Sequence, residues 1–308
     1  MAQTYAKNED RLVQGLIFAT SFLLLVLAQA CAGGGGGAVS SGASENESGD
    51  EAGVIIFSDD FESDQPLGER YFEYDDASGS FARAPRVGIN GSYAMQARWQ
   101  PGQVEAGSLK LAFGRTPAGL GAVPPRFTEQ DFRDVYWRLY LRNEPGWNGI
   151  PDKLSRATSF ASNDSWAQAM IAHVWSSNTE PVLVLDPASG IGGDNNLVTT
   201  QYNDFDNLRW LGAESGSTAV FAVENAGRWF CIEAHARLNS PGAADGVFEL
   251  WIDGQPEASI SGLDWVGGWQ DYGINAVFVE NYWNAGAPGE RVRYIDNLVV
   301  STGYIGCD

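Results

Sequence analysis

From Trp229 to Leu238 apolar and polar residues alternate. Phe230, Ile232, Ala234, Ala236 and Leu238 fall on one side, Cys231, Glu233, His235 and Arg237 on the other. A period of two predicts a β-strand with one buried and one wet face. Phe248, Leu250 and Ile252 repeat the pattern against Glu249, Trp251 and Asp253, and the Pro, Gly, Asn and Asp of 239–246 join the two as a hairpin. A hairpin apolar on one face only needs a second sheet to cover it. Strand-like segments recur at 54–57, 93–99, 108–113, 134–142, 167–175, 181–186, 218–223, 275–283 and 291–300, separated by turn-forming clusters. Residues 127–132 fit one short helical turn, and no long amphipathic helix is evident. The expected fold is all-β, a sandwich of two packed antiparallel sheets.

The N-terminus stands outside this pattern. Lys7 and Arg11 precede an apolar run over 12–28, interrupted by Gln14, shorter than the ~20 residues of a spanning helix. Residues 1–30 read as an export signal, with two processing readings. Ala28-Gln29-Ala30 suits ordinary cleavage, whereas Leu27 to Cys31 resembles a bacterial lipobox, from which Gln29 departs. The lipobox is preferred: Cys31 sits where a lipid would attach, and the Gly/Ser/Glu-rich stretch through residue 53 suits a flexible tether. Ala32 after that Cys resembles the outer-membrane sorting pattern. The expected address is the outer membrane or cell surface through a lipid anchor, or the periplasm or medium if Cys31 is not lipidated. Residues 54–308 are left as one domain.

The net charge of −20 at pH 7 repels phosphate backbones and argues against nucleic acid as a partner. A solvated surface suited to a salty exterior accounts for the same charge. Beyond Cys31, only Cys231 and Cys307 remain. A bond between them would tie the hairpin to the C-terminus; free thiols are the alternative.

Several strands carry candidate chemistry. In 134–142, Val135, Trp137, Leu139 and Leu141 take one side, and Tyr136, Arg138, Tyr140 and Arg142 the other. Sugars stack on flat rings, and guanidinium forks match uronate carboxylates; a plain solvated sheet explains the face as well. His173 shares a face with Trp175 in the strand 167–175, while Gln168, an odd five positions away, is expected on the opposite face. Glu280 and Tyr282 oppose Val277 and Val279. Lys153 and Arg156 are expected on the loop leading into the His173 strand. The polar loop 192–207 could line a cleft, hold Ca²⁺ or form ordinary turns. Asp296-Asn297 inside an apolar strand is a cost unless its oxygens are used. Asp60 and Asp296, near the two ends of the domain, could hold a structural Ca²⁺ or bond turn backbone. No other cofactor is indicated.

Taken together, Asp59-Asp60-Phe61-Glu62, VYWRLYLR at 135–142, DKLSR at 152–156, QAMIAHVW at 168–175, the WF-x-I-E hairpin ending in LWIDG, and YIDNLVVS at the end resemble the concanavalin A-like lectin/glucanase jelly roll. The chain is more particularly similar to its alginate and glucuronan lyase branch. That resemblance implies a jelly-roll sandwich handling polysaccharide. The E-x-D-x-x-E strand of retaining glucanases is missing, so two-carboxylate glycosidase chemistry is not expected. The lyase branch implies β-elimination at a uronate, with His173 or Tyr282 as base and acid and with Arg138, Arg142 and Lys153 positioning carboxylates. The alternative is a glycan-binding or structural surface lipoprotein that does not cleave.

Overall fold

The computed structural model describes residues 53–117, 123 and 125–307. The export signal, Cys31 and the tether as far as residue 52 lie outside the described residues. The described residues form sixteen strands: β1 (Ile55–Asp59), β2 (Glu73–Asp75), β3 (Phe81–Ala84), β4 (Ala94–Trp99), β5 (Glu105–Ala112), β6 (Asp134–Asn143), β7 (Lys153–Phe160) and β8 (Gln168–Ser176), followed by β9 (Leu183–Ser189), β10 (Arg209–Trp210), β11 (Glu214–Ser215), β12 (Phe230–Arg237), β13 (Gly246–Ile252), β14 (Gln255–Leu263), β15 (Ala276–Tyr282) and β16 (Arg291–Ser301).

They form two sheets. The first runs β14-β13-β12-β6-β16-β4-β3, with β1 also on β16; the second runs β10-β9-β8-β7-β15-β5-β2, with β11 also on β9. Every named pairing is antiparallel. The architecture is the expected two-sheet jelly roll, and its first and last strands lie side by side.

The alternating residues explain the packing. Phe230, Ile232, Ala234 and Ala236 of β12, Phe248, Leu250 and Ile252 of β13, and Val135, Trp137, Leu139 and Leu141 of β6 all enter one core. Leu109, Leu111, Leu183, Leu185, Val277 and Val279 meet them from the second sheet. Interdigitated inner faces of this kind are what hold a sandwich together. The Trp137 indole donates to Ser155 Oγ of the facing sheet at 3.1 Å, so the largest ring in β6 is satisfied without water.

Three local expectations change. Residues 218–223 form a turn, with Val220 N–H donating to the Thr218 carbonyl, and Val220 and Phe221 still plug the core while Val223 is exposed. Residues 127–132 make a turn closed by Gln130 N–H on the Phe127 carbonyl, and Phe127 sits at φ +57°. Lys153 and Arg156 belong to β7, a strand in the middle of the second sheet. Asp296-Asn297 is a bulge of β16, with Asn297 in the left-handed region that Asn tolerates.

Candidate active site

Two bulges on the second sheet assemble the site. β7 pairs with β8 through Ser155↔Val174 and then Lys153↔Trp175, leaving Leu154 as an extra residue. In a regular strand Lys153, two positions from Ser155, would share its inward face; the bulge instead leaves Leu154 and Ser155 both inward and turns Lys153 outward. On the other flank β15 pairs Val279 with Ser155 and, after a second register shift, Tyr282 with Lys153. Tyr282, Lys153 and Trp175 thus stand abreast on three adjacent strands. The Lys153 Nζ lies 4.2 Å from the Tyr282 ring centroid and 5.9 Å from a Trp175 ring centroid. From the core side, fully buried Arg293 donates through Nη1 to the Lys153 carbonyl at 3.2 Å and so props the bulge.

These three residues line an open cleft of about 910 Å³, together with Phe205, Trp210, Asp152, Asp186, Asn203 and Asn284. Phe205 and Trp210 are 38% and 43% exposed. Their rings lie 6.1 Å apart at an angle of 27°, which makes a flat apolar ledge. Asp152 accepts from Asn284 N–H at 2.6 Å and from its Nδ2 at 2.7 Å, which steadies the rim beside Tyr282.

Beneath the cleft a buried network holds the covering loop. Arg156, with no exposure, donates to Glu280 Oε1 at 2.8 Å, to Asn203 Oδ1 at 2.7 Å and to the Tyr202 hydroxyl. Gln168 accepts the Asn203 N–H at 3.0 Å and donates to Thr158 Oγ1 at 2.9 Å. Gln168 and His173 were expected on opposite faces. A further bulge corrects this: Ser159 pairs with Met170 and Phe160 with Gln168, so the extra residue Ala169 returns Gln168 to the outward side.

His173 itself is fully buried. Its Nδ1 lies 2.9 Å from the Asp186 carbonyl, which can only accept, so Nδ1 carries the proton and Nε2 is an acceptor without a partner among the described residues. Rings of Trp175 and Trp210 pack on it with centroids at 3.9 and 5.8 Å. Burial, reinforced by the Arg156 charge, holds its pKa well below the usual value. The ring is neutral and lies under the floor, without lining the cleft.

The cleft groups are perturbed mainly by desolvation. Burial lowers the Lys153 ammonium, against the pull of Glu280. Burial raises the Tyr282 phenol, and Glu105, Asp152 and Glu280 add to the rise. Burial pushes the Asp186 carboxyl up to about 6. A carboxyl raised on folding binds more protons in the native state between its unfolded and folded values, so its charge costs stability above about pH 6 and nothing in strong acid. Asp186→Asn is therefore expected to stabilise the protein at pH 7.5 by about 1 kcal/mol, after discounting for partial exposure. Denaturant midpoints at pH 7.5 and pH 4 test this: an equal gain at both, or none at pH 7.5, refutes it.

The remaining candidates from the sequence lie elsewhere. Tyr136, Arg138, Tyr140 and Arg142 occupy the outer face of the first sheet, on the far side of the sandwich from the cleft. Tyr136 stacks on His235 at 4.0 Å, and His235 bridges Asp134 and Glu249. The C-terminal segment packs over Arg138 and Glu233. Cys231 is bonded to Cys307, Glu233 accepts the N–H groups of Ile305 and Gly306, and Arg138 donates to the Gly306 carbonyl. Arg142 lies between the rings of Trp229 and Tyr294. Glu280 is spent on Arg156. Asp60 accepts Glu62 N–H, while Asp296 accepts Ile89 N–H and Asn297 N–H. Among the described residues no three His, Cys, Asp or Glu side chains are grouped to hold a metal ion.

Asp152, Asp186, Trp210 and Asn284 were not singled out by sequence reasoning, whereas Asn203 and Phe205 fall in the polar loop read as one that could line a cleft. A signal was present in the isolated Arg209-Trp210 pair between turn residues, but nothing local says which face it covers.

No protein-family model matches the sequence, and no curated protein matches it. Solved structures share the fold. An endo-β-1,4-glucuronan lyase from the fungus Trichoderma reesei superposes with a TM-score of 0.54 at 14% identity, covering 81% of this chain and 96% of that one. The marine PL-14 alginate lyase from Aplysia kurodai gives 0.55 at 12%, covering 80% and 98%. The alginate lyase vAL-1 from a Chlorella virus gives 0.50 at 13%, covering 74% and 98%. The fold is thus the jelly roll seen in these polysaccharide lyases.

Proposed function

We propose that the cleft binds a uronate-containing polysaccharide and cleaves it by β-elimination. The observation that carries this is the pairing of Lys153 with Tyr282 on the floor of an open, aromatic-walled cleft. Lys153 holds the uronate carboxylate, and that contact restores the ammonium that burial disfavours. The Tyr282 phenolate removes the proton at C5. The electron pair forms the C4=C5 double bond, the C4–O4 bond breaks, and the phenol returns the proton to the leaving oxygen. Trp175, Trp210 and Phe205 stack the sugars on either side. His173, neutral and buried, positions Trp175 and Trp210 in this scheme.

Ultraviolet absorbance of the new double bond tests the proposal, with full-length protein incubated with alginate, glucuronan and heparin-type glycans. A rise that Tyr282→Phe abolishes supports it; a folded protein that yields no unsaturated ends from any uronate glycan would sink it. A second reading, glycan binding without cleavage, is favoured by the exposed ledge alone. Both readings expect Trp210→Ala to weaken glycan binding by about tenfold, the loss of one stacking platform, as read by calorimetry. Unchanged affinity would remove the ledge from the site. Export and tethering through Cys31 belong to the same proposal, and the mass of the mature N-terminal peptide tests them.

A further inference from the structure

Asp186 lines the cleft with a carboxylate to which, among the described residues, no N–H or O–H group donates; its backbone carbonyl alone is engaged, by His173. The charged groups packed round it are engaged or turned elsewhere. On β8 beside it His173 is neutral, and Arg156 of β7 is closed off by Glu280, Asn203 and Tyr202. Arg209 of β10 donates to Asp264, and Asp204 of the covering loop accepts from Thr200 and Asn207. Asp206 is exposed on that loop, and Glu214 of β11 lines a separate depression with Glu249 and Glu257. Lys153 and Asp152 lie at the Tyr282 end of the cleft.

The strand registers set its distance from Lys153. Lys153 pairs with Trp175 and Trp175 with Val184, and Asp186 lies two positions further along β9. Two strands across and two residues along is about 12 Å, roughly two sugar lengths, with Trp175 between. In an extended 1,4-linked chain successive units are flipped, so the unit two along presents its carboxylate on the same side as the first. A polyuronate held through one carboxylate on Lys153 therefore brings a second to Asp186. Two carboxylates facing each other in a half-buried cleft cannot both stay ionised. One proton between them turns the repulsion into a short, charge-assisted hydrogen bond.

On the reading of the cleft as a uronate-glycan site, we infer that Asp186 forms a second uronate subsite that works by a shared proton, so that the protein takes up one proton from water as a polyuronate docks. Burial already disfavours the ionised carboxyl, which in the free protein titrates at about 6. Below that pH the proton is in place before the ligand arrives, and docking takes up none. Above it, docking must return the carboxyl to its protonated form, and affinity falls by about tenfold for each pH unit. The linkage acts on KM and leaves the rate at saturation to Tyr282.

Calorimetry with an oligoglucuronan of six sugars tests it, on full-length protein carrying Tyr282→Phe so that the ligand stays intact. Titrations in buffers of different ionisation enthalpy count the protons exchanged. The expected result is about one proton taken up at pH 7.5 and almost none at pH 5, with affinity about tenfold weaker at pH 7.5 than at pH 6.5. Adding Asp186→Asn keeps the shape of the side chain and removes that proton; binding at pH 7.5 should tighten by about tenfold, because an amide donates where a carboxylate repelled. Asp186→Ser serves as a second variant and should lose the same proton. A proton gained by Lys153 persists in both variants, so the difference from the parent isolates Asp186. Affinity that is flat with pH in the parent, or proton uptake that neither variant changes, overturns the inference and leaves the glycan site standing. Binding at no pH by folded protein, or binding that Trp210→Ala does not weaken, removes the glycan site itself and the inference with it.

Discussion

Tyr282→Phe is expected to lower turnover of a uronate glycan by about 10²–10⁴-fold while affinity stays within a few-fold. The substitution removes one oxygen and leaves the ring beside the Lys153 ammonium, so the cation–ring contact at 4.2 Å survives. The hydroxyl is the proton carrier of the proposed elimination, and its loss falls on the chemical step. The same assignment fixes a pH dependence. The phenol is held protonated by burial and by Glu105, Asp152 and Glu280, so the basic phenolate is the minor form at neutral pH. The rate should therefore climb as pH rises toward the raised phenol value, until loss of the Lys153 ammonium, whose pKa is lowered, turns it down. Steady-state kinetics of wild type and variant across neutral to alkaline pH check both statements. Full activity in Tyr282→Phe, or a wild-type rate that is flat over that range, would take the proton away from Tyr282.

Replacing both Cys231 and Cys307 by Ser should cost up to about 4 kcal/mol, the chain-entropy value for a closed loop of this length. The cysteines are 76 positions apart, and the loop includes β12 through β16. The bond also fastens the C-terminal segment over Glu233 and Arg138, two charged side chains buried on the outer face of the first sheet. Freed of its anchor, the segment keeps only its hydrogen bonds, and water reaches those charges. Urea unfolding of the wild type and the double variant measures the difference. A loss below about 1 kcal/mol would mean that the bonds to Glu233 hold the segment unaided.

The hairpin of β12 and β13 and the inner row of β6 were legible because one face of each is covered by the opposite sheet, and alternation then survives in the residues. β7 was not legible. Its Arg156 lies under the loop that carries Tyr202 and Asn203, while Ala157 enters the core, so both faces are covered and no alternation remains. Gln168 and His173 were placed on opposite faces by counting positions, a rule that one extra residue, Ala169, reverses. Lys153, Trp175 and Tyr282 each stood out in the sequence, but their meeting depends on bulges that carry no local marker. Asp186 and Trp210 come from β9 and β10, and only the sheet order puts them beside the Lys153 row. The Tyr/Arg face of β6 looked like a binding surface because composition cannot show that the last residues of the chain fold back over it.

The bulges at Leu154 and Ala169 give the sheet something like a reading frame. Which groups a strand offers to a ligand is decided there by parity, so a supernumerary residue whose own side chain touches no ligand governs the whole outward set. Substitution at such a position, or even loss of the extra residue, alters packing and leaves the outward set intact, whereas an extra residue that the strand did not bulge out would exchange the inward and outward sets beyond it in a single step. On a scaffold of this kind, the length of a strand between two fixed pairings is itself a functional variable, and similarity measured residue by residue is poorly suited to detect it.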